Sequence, residues 1–428
     1  MKPFPISIFC LFIFSRLASQ DLYFPPNFSD EWETMEFSEL DWCDDTIENL
    51  NSFLESTNTN AFMILKDGKI AHEAYFNDFD LNSSWYWASA GKTLTASLIG
   101  ILQEEGSLAI EDPTSMYLGD GWTSCSPEEE MQITLRHQLT MTTGLDFTTG
   151  DIYCTDPECL QYLNPPGEEW YYHNAPYTLL ADVMEAAAEQ GYTGITNEKL
   201  TNKIGFIGLW TNVNTGRLFF STIRGMARFG LLMLNNGDWD GDEVIKDKEY
   251  LNDMINSSQD INPAYGYLWW LNGKETYRLP GSLIDFQGKL IPNAPDDLYA
   301  AIGKNGQILM VVPSENLIIA RMGNNPEVSL VPITYVQDLW NEYEKLTCST
   351  STFVQDKPEV SIRPNLVFHQ AKIHSNVPFS NVVVYNQMGE KVMETSSNKL
   401  IMNGFPRGVY FIEIFHGDQR TIERIYKL

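Results

Sequence analysis

The pattern of apolar and polar positions divides the chain into a long mixed region and a short strand-rich tail. Ile47, Leu50 and Leu54 recur at helical spacing and predict a helix near Asp44 to Leu54. Asn60 to Leu65 and Ile70 to Tyr75 then read as strands, joined through the hairpin signal Lys66-Asp67-Gly68-Lys69. A helix follows from Ser89 to Glu105, with Leu94, Leu98, Ile99 and Leu102 on its apolar face and Gly106 to end it. Ile133 to Leu139 reads as a capped helix before the turn Thr142-Thr143-Gly144, and Pro165-Pro166-Gly167 as a break. Helices are also predicted over Pro176 to Gln190 and Ile223 to Leu234. Tyr265 to Leu271, Gln307 to Val312 and Leu317 to Met322 read as strands, and Pro332 to Lys345 as a closing helix. Strands near both ends with helices between predict an α/β domain: one sheet built from the two ends, with a helical region inserted.

The character changes after Cys348. Residues 349–364 are a polar linker with Ser, Thr and Pro. Beyond it, Val382 to Tyr385, Lys391 to Met393 and Gly408 to Ile414 predict short strands, so residues 365–428 form a small all-β module. At the other end, Lys2, the apolar run Pro3 to Phe14 and the small residues Ala18 and Ser19 read as a signal peptide over residues 1–19. The main domain is then expected over residues 20–348. No later run is long and apolar enough for a membrane helix, so the mature chain is expected to lack a transmembrane segment.

Composition sharpens this. A hydrophobic content of 43% with 13% aromatics suits a packed core. A net charge of −29 argues against nucleic acid as a partner. With the signal peptide removed, an odd set of cysteines remains; Cys154 with Cys159 and Cys43 with Cys348 are the expected pairs, leaving Cys125 free. No His and Cys cluster has ligand spacing, so neither a metal nor a cofactor is expected.

The chemistry begins at Ser89. Lys92 follows it by three residues, which on a helix places the amine beside the hydroxyl and offers a route to a reactive serine without histidine. Roughly one or two Ser-x-x-Lys quartets arise by chance in a chain of this length, and Ser396 to Lys399 is a second. The esterase elbow Gly-x-Ser-x-Gly is absent, and the histidines fall in predicted strand, helix or tail. Tyr172 and Asn174 lie on a turn before a helix; a cation such as Lys92 would favour the Tyr172 phenolate, and Asn174 would steady Lys92 or bond a substrate amide. Gly303-Lys304-Asn305-Gly306-Gln307 precedes a strand. Gly306 allows close backbone approach, and the N–H of Gln307 with that of Ser89 would form an oxyanion hole.

Taken in order, Ser89-x-x-Lys92, Tyr172-x-Asn174 and Lys304-Asn305-Gly306 resemble the serine β-lactamase and penicillin-binding protein superfamily, nearest to its class C-like and esterase branch. Ile133 to Leu145, Ala227-Arg228-Phe229-Gly230 and Tyr265 to Trp270 support the likeness, which covers about Asp44 to Leu346. It implies a β-lactamase/transpeptidase-like domain with the site between its sheet and helical parts. It also implies a mechanism in which Ser89 attacks a carbonyl, Lys92 and Tyr172 move its proton, and water releases the acyl-enzyme. Asn305 stands where many relatives carry Thr or Ser, while Lys304 keeps a cation for a substrate carboxylate. The tail, through Val384 to Glu390, Leu400 to Met402, Pro406 to Phe411 and Arg424 to Leu428, resembles a type IX secretion C-terminal sorting domain. That likeness implies an address read by secretion machinery, outside the active site, on an enzyme of the bacterial exterior or outer surface. The expected function is a secreted serine hydrolase acting on a small ester, amide or peptide. A D-peptidase or true β-lactamase is the rival within enzymes, and a silent binding protein of the same fold the rival outside them.

Overall fold

The computed structural model describes residues 22–148, 150–213, 216–327, 329–348, 360–363, 365–417 and 419–427. The expected signal peptide over residues 1–19 and most of the expected linker lie outside the described residues. Six antiparallel strands form the central sheet, in the order Lys69–Tyr75, Thr59–Lys66, Leu317–Gly323, Gln307–Val312, Tyr299–Gly303 and Trp270–Leu271. Strands from the two ends of the domain meet in its middle, where Phe62 pairs with Arg321 and Ile64 with Ile319. The sheet is covered on both faces, which is why its inner strands are almost continuously apolar.

The helix Ile223–Leu234 lies against the sheet, so close that a Cβ at Gly230 would sit 2.8 Å from Leu309 and 3.0 Å from Ile318. Helices Asp44–Ser56 and Ile333–Glu344 close the domain. Their outer ends are stapled by the Cys43–Cys348 disulfide, with Cα atoms 5.4 Å apart. Cys154 pairs with Cys159, and Cys125 is free. No helix among the described residues is long and apolar enough to cross a membrane.

Several elements differ from the sequence-based expectation. The helix expected from Ser89 starts as a 3₁₀ turn over Ala88–Gly91, and the α-helix proper runs Lys92–Glu104. Ala88 enters that turn with φ +46°, a conformation uncommon for a residue with a side chain. The helix expected over Pro176 to Gln190 is broken into Asn174–Thr178 and Leu180–Ala188. There Thr178 donates its hydroxyl to the Asn174 carbonyl at 2.9 Å, and Glu189 at φ +51° stops the second piece two residues before Gly191. Of Tyr265 to Leu271 only Trp270–Leu271 is strand, because Leu268 turns through φ +62°. Tyr299–Gly303 is a strand the periodicity did not single out; buried on both faces, it has no alternation to read.

The tail forms two small sheets. One joins Val360–Arg363, Gln370–Ser375 and Lys399–Ile401; the other joins Leu366–Val367, Gln419–Lys427, Gly408–His416, Asn381–Asn386 and Lys391–Thr395. Val360–Arg363 already pairs with Gln370–Ser375, so strand structure begins within the stretch expected as linker. Along Gly408–His416, Tyr410, Ile412 and Ile414 fill the module's own core, while Val409 and Phe411 turn to the main domain. Phe411 is 2% exposed and meets Phe286 with ring centroids 5.3 Å apart. Arg424 forms an ion pair with Glu327 at 2.8 Å. The module is docked, not dangling.

Candidate active site

Ser89 sits half-buried on the 3₁₀ turn, anchored by the helix behind it. Leu94, Leu98 and Ile99 of that helix have no exposed surface. Each contributes about 1.5–3 kcal/mol by burial, so the turn is carried on a rigid base. Trp87, just before it, is also fully buried and donates its indole N–H to Ser221 Oγ at 2.9 Å.

Lys92 Nζ lies 3.0 Å from Ser89 Oγ. The lysine is 4% exposed, and burial without a carboxylate partner lowers its pKa to about 7. Two aromatic rings contact the amine, Tyr177 at 4.3 Å and Tyr172 at 5.1 Å. Burial pushes the Tyr172 phenol well above its usual value, and a hydrogen bond with Ser89 opposes that rise without cancelling it. Against the expectation that Lys92 would favour a Tyr172 phenolate, desolvation shifts the amine toward its neutral form and favours the protonated phenol. Tyr172 is held by stacking on Trp270 at 5.9 Å and by an edge contact with Tyr265 at 6.3 Å.

Asn174 opens the helix Asn174–Thr178 and is 2% exposed, yet its amide nitrogen has no partner among the described residues. A buried donor without a partner is free to meet a carbonyl oxygen.

The Lys304-Asn305-Gly306 motif is the turn between Tyr299–Gly303 and Gln307–Val312, with Asn305 at φ +63° and Gly306 at φ +76°. Asn305 donates to the Tyr86 hydroxyl at 2.7 Å, and Lys304 is exposed. A Cβ at Gly306 would meet Arg321 Nη1 at 2.6 Å. The Gln307 side chain is buried and bonds the Gly323 carbonyl at 2.7 Å and the Gly323 N–H at 3.1 Å, tying two strands together. The residue that approaches the nucleophile is Gly303, where a Cβ would sit 2.6 Å from the Trp87 carbonyl and 3.0 Å from the Ser89 nitrogen.

Gly303 heads the motif singled out in the sequence, and a glycine ending a strand is a signal of close backbone approach. Arg321 belongs to no motif singled out there. It is fully buried and donates to the carbonyls of Asn305 and Gly306, at 2.9 Å each, and of Thr57 at 2.8 Å. A lone arginine within the apolar strand Leu317–Gly323 was the available clue.

The other candidates fall away. His72 contacts Asn51 at 2.9 Å, and the His137 ring accepts from the Thr134 N–H at 3.1 Å as a helix cap. Burial lowers His72 and His173 to about 4. Among the described residues no histidine is hydrogen-bonded to Ser89, and no group of three or more His, Cys, Asp or Glu could hold a metal. The second quartet, at Ser396, lies in an exposed turn between two tail strands.

This fold, with a lysine-backed serine between its sheet and its helical region, is of the β-lactamase/transpeptidase-like class. The family model described as Beta-lactamase matches residues 52–332, well over half of the chain, and the chain belongs to that family. Among solved structures it is similar to a putative 6-aminohexanoate-dimer hydrolase from Bacillus anthracis at 18% identity, over 76% of this chain and 89% of that one, with a TM-score of 0.59. A putative β-lactamase from Bacteroides dorei is 16% identical over 73% of this chain and 99% of that one, with a TM-score of 0.55. An octameric penicillin-binding protein homologue from Pyrococcus abyssi is 15% identical over 88% of this chain and 100% of that one, with a TM-score of 0.51. These likenesses bear on the fold. No curated protein matches.

Proposed function

We propose that this chain is an exported serine hydrolase that cleaves an ester or amide through an acyl-Ser89 intermediate. The observation that carries the reading is the buried Lys92 amine 3.0 Å from Ser89 Oγ, with its pKa lowered to about 7. A neutral amine accepts the serine proton as Oγ attacks the carbonyl carbon. Tyr172, kept protonated at rest, passes its proton to the leaving group and takes one back from the water that frees the acid, while Lys92 returns its proton to Ser89 Oγ as the acyl bond breaks. The N–H groups of Ser89, against which Gly303 packs, and of Gln307 face the developing oxyanion, while the free Asn174 amide bonds the acyl side of the substrate. Lys304, exposed on its turn, offers a cation to a carboxylate. Export is supported by the residues 1–19 pattern and by the two disulfides, and the tail's likeness to a sorting domain supports delivery to the cell exterior by secretion machinery.

The test is intact-protein mass after treatment with a fluorophosphonate. A single adduct on the wild type, absent from Ser89→Ala, is expected. No adduct on the wild type removes the hydrolase and leaves a binding protein with this fold. A panel of esters, amides, D-dipeptides and β-lactams then separates an esterase or amidase from a D-peptidase or a β-lactamase.

A further inference from the structure

A cavity of about 520 Å³ opens beside the Lys304 turn, within the size range of sites that hold small organic ligands. Phe147 and Tyr171 line one side. Their rings stack at 3.8 Å and 9°, giving a flat apolar slab, and the cavity adjoins the Ser89 turn through Lys304, the residue after Gly303. Lys304 lines the same space, exposed and without an ion pair among the described residues. Leu283 and Leu330 of the main domain also line it, and Met388, Val409 and Tyr426 of the C-terminal module complete it.

The module holds that position through fixed contacts. Strand alternation aims Val409 and Phe411 at the main domain, Phe411 packs on Phe286 at 5.3 Å, and Arg424 pairs with Glu327 at 2.8 Å. We propose that the module is the far wall of the substrate cleft, where Met388, Val409 and Tyr426 select esters or amides that combine an apolar arm with a carboxylate. The wall and the slab accept the arm, and Lys304 receives the anion. This departs from the expectation that the tail stands outside the active site, and it rests on the reading of Ser89 as the nucleophile.

The test is a fluorescence titration of the full chain with 11-(dansylamino)undecanoic acid, a carboxylate on a long apolar arm. Met388 is 52% exposed on a turn, so Met388→Trp adds bulk to the cavity without disturbing a core. Saturable binding by the wild type, weakened tenfold or more in Met388→Trp and in Lys304→Ala, is expected. Equal affinity in wild type and Met388→Trp overturns the proposal, as does the absence of saturable binding. The titration needs no turnover, so it separates from the mass measurement on Ser89. Binding lost at position 388 with no Ser89 adduct keeps the wall and removes the hydrolase; an adduct with binding indifferent to position 388 does the reverse.

Discussion

At the scale of single residues, the proposed mechanism depends on Lys92 reacting as an amine and not as an ammonium ion. A lysine ordinarily titrates near 10.4, but here burial brings the value to about 7, and no carboxylate restores the charge. The neutral fraction, which alone can accept the Ser89 proton, therefore grows as pH rises through 7. The rate of fluorophosphonate labelling should climb about tenfold per pH unit below that point and level off above it. Lys92→Arg, always charged, should label slowly and without the inflection. A wild-type rate that stays flat from pH 5 to 9 would take Lys92 out of the base role. Linkage works in the same direction. Between pH 7 and the unfolded value the folded state binds fewer protons at this site than the unfolded chain, so this group's contribution to stability rises with pH across that window.

At the scale of elements, the nucleophile's helix and its neighbouring strand were legible to different degrees. The apolar face of Leu94, Leu98, Ile99 and Leu102 marked the helix correctly, because a buried face leaves a periodic trace. It did not mark the tight turn at Ala88–Gly91, since a 3₁₀ start is set by packing against Trp87 and Gly303 and not by spacing. Tyr299–Gly303 was invisible for the reason that it is buried on every side. That hidden strand ends on the residue whose missing side chain matters most. Its φ does not demand glycine; the space does, because a methyl group would press on backbone atoms at 2.6 to 3.0 Å that cannot swing aside. Gly303→Ala is expected to lower kcat/KM by about 10² or more, since a displacement of ~1 Å at a reacting group costs that much. Gly306→Ala instead meets the Arg321 guanidinium and strains a φ of +76°, so its first effect is on stability. Wild-type labelling rates in Gly303→Ala would detach this strand end from the site.

At the scale of the whole molecule, the tail was legible as a separate set of strands but its docking was not. A strand over Gly408 to Ile414 does not say what Val409 and Phe411 cover, and only the assembled structure supplies that second surface. The same docking brings acidic groups together. Burial raises the Glu423 carboxyl to about 8; Asp338 of the closing helix and Glu327 add to the rise, and Arg424 opposes it. A carboxyl raised in the folded state contributes its stability in full below the unfolded value, near 4.3, and loses it as pH climbs through the folded one. The module should therefore be held most firmly in mildly acid solution and loosen toward pH 8. Hydrogen exchange in residues 408–427 reads this directly, with protection expected to fall between pH 5 and 8.5 after correction for the intrinsic rate. Glu423→Gln, which cannot ionise, should keep its protection level across that range. If wild type and Glu423→Gln lose protection in parallel, Glu423 has no part in holding the module, and contacts such as Phe286–Phe411 and Arg424–Glu327 hold it instead.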